Sequence, residues 1–493
     1  MSAVISCNSE ENEPIYTSYS NTMVRSFSLA ADIHVLPNLA YRYFTIDLVG
    51  GEIFNPDSLP YGTDISALVP VIKFSSPSSV EITVADKSDG SVLKTIDYLK
   101  NEKDSIDFNN DVRMRVVAAD GVTTQNYRIE VRVHRVQADS LLWTSLGRRS
   151  LPTALPAPTA QKTVQFKGRI YCFTADAQTY NVAVAEAPAS EWSIETFSPA
   201  GGAMTLSSVT ASADTLFALC GSADDAGNMQ LAASTDGVAW TLLPDALFSS
   251  LVGMWNNTLT GVVNIDGAYL HASYGEGAYA VGDAVDAAFP VSGYSSTVAY
   301  ADTLYGASQI YFFGGRLADG TYSSRIWAYD GDRWAAITDV GYSGGAGAAV
   351  SPREGAMFFS YFQDDYDAAT DLFFRKVYYY IVGGRDDTQV YNDLYYTNTI
   401  GGYWERAAQG SPLSLSDKWF EPRAFASVCI CEESGDEPMA SAWQQYSAPD
   451  YIRALRSSGE PVPYIYLFGG YDSRKSLIED VYRGVIRRFT FRP

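Results

Sequence analysis

The sequence predicts an all-β protein, a small N-terminal β-sandwich followed by a six-bladed β-propeller. Three observations predict it. Large aromatic residues recur at Trp143, Trp192, Trp240, Phe289, Trp334, Trp404 and Phe489, spaced 49, 48, 49, 45, 70 and 85 residues apart. A step in the upper forties is the length of one four-stranded blade, whose faces are buried only when neighbouring blades stack on it. Seven marks enclose six intervals, hence six blades. The composition, with Gly 39, Tyr 34 and Phe 23 in 493 residues, suits many short strands joined by tight turns. Finally, segments within residues 25–136 alternate apolar and polar side chains with period two, the pattern of strands buried on one face.

Composition also excludes function classes. The formal charge is −22, from 57 acidic and 35 basic residues, so a phosphate backbone or an anionic membrane surface is repelled and nucleic acid is not an expected partner. The five cysteines (Cys7, Cys172, Cys220, Cys429, Cys431) show no C-x-x-C spacing, and His34, His134 and His271 lie far apart. A zinc site or a histidine-based triad needs convergent ligands, so no metal, no cofactor and no catalytic residue is predicted. Cys429 and Cys431 face the same side of a predicted strand, where an adjacent disulfide is strained, and read as buried small apolar residues.

Residues 1–24 read as a lipoprotein-type terminus and tether. Small Ser6 precedes Cys7, the candidate lipidation site, and the polar, acidic run from Asn8 to Pro14 suits a solvated linker. Such an acidic run after a lipidated cysteine resembles the surface-export signal of Bacteroidetes lipoproteins. The implied address is an exported, outer-membrane lipoprotein facing the cell exterior, its membrane contact made only through Cys7. The other reading is a frayed end with a chance thiol.

Residues 25–136 form the expected sandwich. Val80-Glu-Ile-Thr-Val84, Arg113-Met-Arg-Val-Val117 and Tyr127-Arg-Ile-Glu-Val-Arg-Val133 alternate, and Asp120-Gly121 between the last two signals an antiparallel hairpin. That closing hairpin resembles the end of bacterial cadherin-like, Ig-like sandwich modules. Phe44-Thr-Ile-Asp47 and the stretch Ile53 to Thr63 resemble an uncharacterised family of Bacteroidetes surface lipoproteins that couples such a sandwich to a kelch-like propeller. The resemblance spans the chain from about residue 24 and implies an architecture but no activity. In this setting the sandwich is expected to act as a spacer.

A short polar joint, 137–142, leads to the propeller, 143–493. Blades four to six each show an apolar run ending in a glycine pair (Gly314-Gly315, Gly383-Gly384, Gly469-Gly470), then a tyrosine-containing strand, then the aromatic mark. The glycine pair lets the backbone turn where a side chain would clash. Pro352-Arg353 and Pro422-Arg423 resemble the Pro-Arg opening of a kelch blade's innermost strand. Ser234-Thr-Asp236-Gly237-Val-Ala-Trp240 is close to an Asp-box and reads as a structural turn. Whether residues 141–146 or residues 488–492 complete the last blade is open.

Surplus length falls at Gln363–Asp371, expected as a solvated acidic loop, and from Glu432 to Val462, which carries Trp443, Tyr446 and an expected short helix over 449–457. Both insertions join first to second strands and share one propeller face. The opposite face carries Arg316, Arg353, Arg385, Arg423 and Tyr471. Two candidate ligand surfaces follow: an arginine-rich mouth able to grip a carboxylate, and the exposed aromatics Trp443 and Tyr446, able to stack on sugar rings. The competing readings are that each arginine ties down its own loop and each aromatic packs on its blade. The predicted function is a non-enzymatic surface module binding a glycan or protein. The alternatives are a sialidase-, lyase- or epimerase-like propeller enzyme and a structural subunit of an outer-membrane complex. Sialidase chemistry needs an arginine cluster, an acid and a tyrosine held by a carboxylate, and no motif fixes that geometry. If the terminus is a lipid anchor, expression with labelled palmitate puts label on Cys7; a chain without label removes the anchor.

Overall fold

In the computed structural model, residues 20–134, 140–147, 149–186, 191–302, 307–339, 350–367, 372–400, 402–415, 420–433 and 462–487 are described. The chain divides near residue 138 into two compact units, and no helix among the described residues is long and apolar enough to cross a membrane.

The first unit holds β1 (Val24–Leu29), β2 (Thr45–Asp47), β3 (Glu52–Phe54), β4 (Pro70–Phe74), β5 (Pro77–Ala85), β6 (Val92–Asp97), β7 (Asp111–Ala118) and β8 (Thr124–Glu130). They form a six-stranded sheet in the order β2-β3-β8-β7-β5-β6 and a two-stranded layer, β1-β4. The period-two pattern holds residue by residue: Val80, Ile82, Val84, Val112, Met114 and Val116 are all buried in one core. The Asp-Gly turn joins β7 to β8, with the Asp120 carboxylate accepting the Val122 and Thr123 amides at 2.9 and 2.8 Å and Gly121 at φ 73°. One pairing departs from an all-antiparallel sandwich. β3 runs parallel to β8, Glu52 opposite Arg128. No hairpin links these two strands, so nothing local fixes their direction.

The second unit begins with β9 (Ser140–Ser145), three residues upstream of the expected propeller start. Six four-stranded sheets follow, covering 160–197, 204–248, 250–284, 298–339, 357–406 and 427–487. In the first five, chain order is spatial order, and successive sheets adjoin around the axis through their inner strands. β9 is the fourth strand of the last sheet, so the ring is closed by the segment that precedes the first blade, and residues 488–492 lie outside the described residues. Trp143 pairs opposite Gly484 and lies where a Cβ on that glycine would sit. Closure hides two strand edges at once.

The marks are reassigned accordingly. Trp192, Trp240, Trp334 and Trp404 stand at the start of a fourth strand, and Trp143 serves the last blade. Phe289 follows its blade's fourth strand, Ala278–Ala284, and packs on Phe312, Trp327 and Trp334 of blade four. Phe489 lies outside the described residues. The stretch Gln363–Asp367 is strand, not loop: Met357–Asp367 pairs in register with Leu372–Val382, from Met357 opposite Val382 to Asp367 opposite Leu372. The expected helix over 449–457 lies outside the described residues. The Asp-box segment is a turn in which Asp236 accepts the Val238 and Ala239 amides and Trp240 donates to the Gly237 carbonyl at 3.0 Å. Cys172, Cys220, Cys429 and Cys431 are buried free thiols. Burial pushes the Cys172 and Cys220 thiols up to about 12, which leaves them unreactive.

The glycine pairs explain themselves in contacts. Gly314 has φ 67°, and a Cβ there would stand 2.6 Å from the Arg353 carbonyl oxygen, whereas Gly320, φ 86°, has nothing within 4 Å. Gly320→Ala is therefore expected to cost only the left-handed backbone, about 1–2 kcal/mol. Gly314→Ala is expected to cost about 1–3 kcal/mol more, the usual penalty of forcing atoms into a packed site. Urea midpoints of the two variants measure the difference, and equal losses would contradict the packing role.

Candidate functional site

Two of the four predicted arginines are tied into the blade junctions. Arg353 is fully buried. Its Nη1 donates to the Gly383 carbonyl at 2.9 Å and to Asp393 Oδ1 at 2.6 Å, while Nη2 donates to Asp393 Oδ2 at 3.1 Å. The Tyr391 ring centroid lies 3.7 Å from its Cζ. Its backbone carbonyl accepts the Gly315 amide of the preceding blade at 2.9 Å. Arg423, also fully buried, repeats the backbone contacts one blade on, without a bidentate carboxylate and with its Nη2 unpartnered among the described residues. It donates to the Gly469 carbonyl at 2.9 Å and to the Asp480 carbonyl at 3.4 Å, and its own carbonyl accepts the Gly384 amide at 3.0 Å. Burial pushes the Arg423 guanidinium below its ordinary pKa, opposed by Tyr482, Glu421 and Asp480. An arginine still remains charged. Neither side chain has surface left for a ligand, because each holds two glycine pairs at once.

Arg316, Arg385 and Tyr471 occupy one equivalent position, directly after the three glycine pairs. Each bridges by backbone to the segment opening an innermost strand, with Ser292, Glu354 and Ala424 as partners. This places all three on one face, next to the axis. A second backbone chain runs beside them: the Gly355 amide donates to the Gly293 carbonyl at 2.9 Å, and the Phe425 amide to the Gly355 carbonyl at 2.7 Å. Gly293 and Gly355 have φ 69° and 60°, and Phe425 is held at φ 60° as well. A bulky aromatic in the left-handed region is costly and persists only where its surroundings enforce it.

Side chains here form two clusters. Arg385 Nε donates to Glu354 Oε1 at 2.9 Å, and its Cζ lies 5.0 Å from the Phe425 ring centroid. Its two terminal nitrogens have no hydrogen-bond partner among the described residues. Arg316 Nη2 donates to the Tyr322 hydroxyl at 3.3 Å and lies 3.6 Å from Asp387; Tyr322 in turn donates to Asp387 at 2.6 Å. Burial, with the Asp387 hydrogen bond, pushes the Tyr322 phenol up to about 12. The Arg316 and Asp387 side chains are 42% and 74% exposed. Asp386 is built into its own turn. Burial raises its carboxyl, but hydrogen bonds from Thr388, Tyr391 and Gln389 outweigh that and hold it at about 2. Tyr471 donates to the Thr159 carbonyl at 3.4 Å, which ties this face to blade one.

Arg316, Arg385 and Tyr471 are thus gathered on one face, and Arg353 and Arg423 lie beneath it. Trp443, Tyr446 and Cys7 lie outside the described residues. Sequence reasoning missed Glu354, Phe425, Tyr322 and Asp387. Glu354 directly follows Pro352-Arg353 and Phe425 lies two residues after Pro422-Arg423, so the same motif held a signal for both. Among the described residues no group of three or more His, Cys, Asp or Glu is arranged to hold a metal.

The profile of the DUF6242 beta propeller domain matches residues 137–493, and that of the DUF6242 N-terminal domain matches residues 17–131. The chain belongs to the DUF6242 family. No curated protein matches it. Among solved structures, this DUF6242 chain is similar to the putative TolB from Agrobacterium tumefaciens, at 15% identity and TM-score 0.29, over 67% of this chain and 88% of that one. It is also similar to the fungal Aleuria aurantia lectin, a six-bladed β-propeller, at 12% identity and TM-score 0.32, over 64% and 90% of the two chains. These likenesses carry no argument about what the chain binds.

The Arg353–Asp393 pair gives a direct test of the division between buried and exposed arginines. Arg353→Ala leaves a carboxylate that is only 6% exposed without its partner, an expected loss of about 3–5 kcal/mol. Arg316→Ala removes a half-exposed contact, expected within about 1 kcal/mol. Denaturant melts of both variants measure this, and a mild Arg353→Ala would undo the assignment.

Proposed function

We propose that this protein is a ligand-binding module in which the axis-proximal face carrying the glycine pairs takes a glycan. The observation that carries the reading is the contrast between the two arginine sets. Arg353 and Arg423 are consumed by the fold, whereas Arg316 and Arg385, with side chains 42% and 22% exposed, keep donors without a partner among the described residues, beside the exposed Asp387, the largely buried Glu354 and the rings of Tyr322 and Phe425. Guanidinium and carboxylate groups side by side match the mixed donors and acceptors of sugar hydroxyls. Nearby aromatic faces suit the apolar side of a sugar ring.

In this reading the protein is exported and displayed outside the outer membrane through a lipid on Cys7, with the cadherin-like N-terminal unit as spacer and a kelch-like propeller as binder. The support is the Ser6-Cys7 pair, the acidic run after it, and the repeated Gly-Gly and Pro-Arg signatures. A glycan array, paired with a pull-down from cell-surface extract, tests the face. Wild type is expected to select a subset of glycans, and Arg385→Ala/Asp387→Ala is expected to lose them at least tenfold. Identical profiles, or capture of proteins only, would remove the glycan reading.

A further inference from the structure

The six innermost strands, Ala160–Phe166, Met204–Ala211, Ser250–Trp255, Val298–Asp302, Met357–Asp367 and Ser427–Glu433, surround the axis. Among all their residues Lys162 is the one basic side chain. Their acidic residues, Asp302, Asp364, Asp365, Asp367, Glu432 and Glu433, all stand at the C-terminal ends, away from the glycine-pair face. Lys162 is near the other end. Thr159, three residues before it, accepts the Tyr471 hydroxyl, so Lys162 lies about 10 Å further in along the strand at roughly 3.3 Å per residue.

Lys162 is half-buried and has no hydrogen bond or ion pair among the described residues. Burial pushes its ammonium pKa down, and the nearby Cys429 thiol opposes that only in part. An ammonium taken from water without a carboxylate partner is costly, and one way to remove the cost is a bound anion. On a chain of net charge −22, a cation with no carboxylate partner among the described residues is a local exception. Arg385 extends the feature to the rim. Its two terminal nitrogens have no partner among the described residues, and its charge acts on the same Tyr471 hydroxyl that reaches Thr159.

Resting on the glycan reading above, we propose that the axial mouth binds a carboxylate-bearing saccharide, its carboxylate drawn to Lys162 and its ring held at the rim beside Arg385 and Phe425. A saccharide fits better than an acidic peptide. Asp387 is exposed on the same face, while Glu354 is largely buried in its pair with Arg385; Asp387 repels a run of carboxylates but accepts sugar hydroxyls.

Thermal shift and calorimetry with galacturonate, glucuronate and N-acetylneuraminate, alongside galactose, inorganic phosphate and an acetylated triglutamate peptide, test this on the full chain. At least one acidic sugar is expected to raise the wild-type melting temperature, with galactose at least tenfold weaker. Lys162→Met is expected to lose that binding at least tenfold and Arg385→Ala to weaken it. Without ligand, Lys162→Met should melt at or above the wild-type temperature, since methionine removes an unpaired, desolvated charge. A lower melting temperature would mean that Lys162 has a structural partner, and would overturn the proposal. So would unchanged acidic-sugar affinity in Lys162→Met, no acidic-sugar binding, or phosphate or peptide binding as tightly as the sugar. If array glycans still bind and remain sensitive to Arg385→Ala/Asp387→Ala while Lys162→Met is silent, only the anion site falls; if no glycan binds at all, both readings fall.

Discussion

The hydrogen bonds that Arg353 and Arg423 make to the glycine pairs hold the later half of the ring together. Each residue uses both of its polar ends. Its carbonyl accepts an amide from the preceding blade's glycine pair, and its guanidinium reaches its own blade's pair. Blades four, five and six are thereby joined in series. The glycines are required twice over, by positive φ and by the carbonyl that crowds Gly314 and Gly383. Desolvating a guanidinium is expensive, and only good geometry and full hydrogen bonding offset it. The bidentate contact to Asp393 and the Tyr391 ring supply that geometry for Arg353.

The first three blades reach the same end by other means. Between blades two and three, Asn228 donates to the Asn264 carbonyl at 2.8 Å and accepts the Asn264 amide at 2.8 Å, a reciprocal clasp made without charge. Gly469 of blade six meets the Gln161 side chain of blade one where the later junctions place an arginine carbonyl. At the outer rim, β9 completes the last sheet, so the ring is closed by a strand that precedes it in sequence. The different junctions account for the weak repeat in blades one to three: the packing problem is shared, the residues that solve it are not.

This architecture sorts the charges of the propeller. Arginines needed for closure are sealed in, and the residues just after each glycine pair project at the axis because the backbone bridges fix their positions. The strained Phe425 stands in series with two glycines, a substitution that places a ring at the axis where the fold itself needs only a turn. Lys162 sits below that level on the innermost strand of blade one. The mouth therefore combines cations, carboxylates and aromatic rings although the molecule as a whole is strongly acidic.

The aromatic spacing, the Gly-Gly pairs and the period-two runs of residues 80–133 determined the all-β class, the ring of six and the hairpin at Asp120-Gly121, because these depend on local backbone geometry and on side-chain alternation. The position of Arg316, Arg385 and Tyr471 on one face followed from the same repeat. Tertiary structure alone decided that β9 closes the ring, that β3 and β8 run parallel, and that Gln363–Asp367 is strand, since each depends on partners distant in sequence or on pairing that a polar run does not announce. It also decided which arginines are buried. Arg353 and Arg385 carry the same side chain; one is fully buried and meets Asp393 and a carbonyl inside a blade junction, the other is half-buried and meets Glu354, and no property of either residue alone distinguishes them.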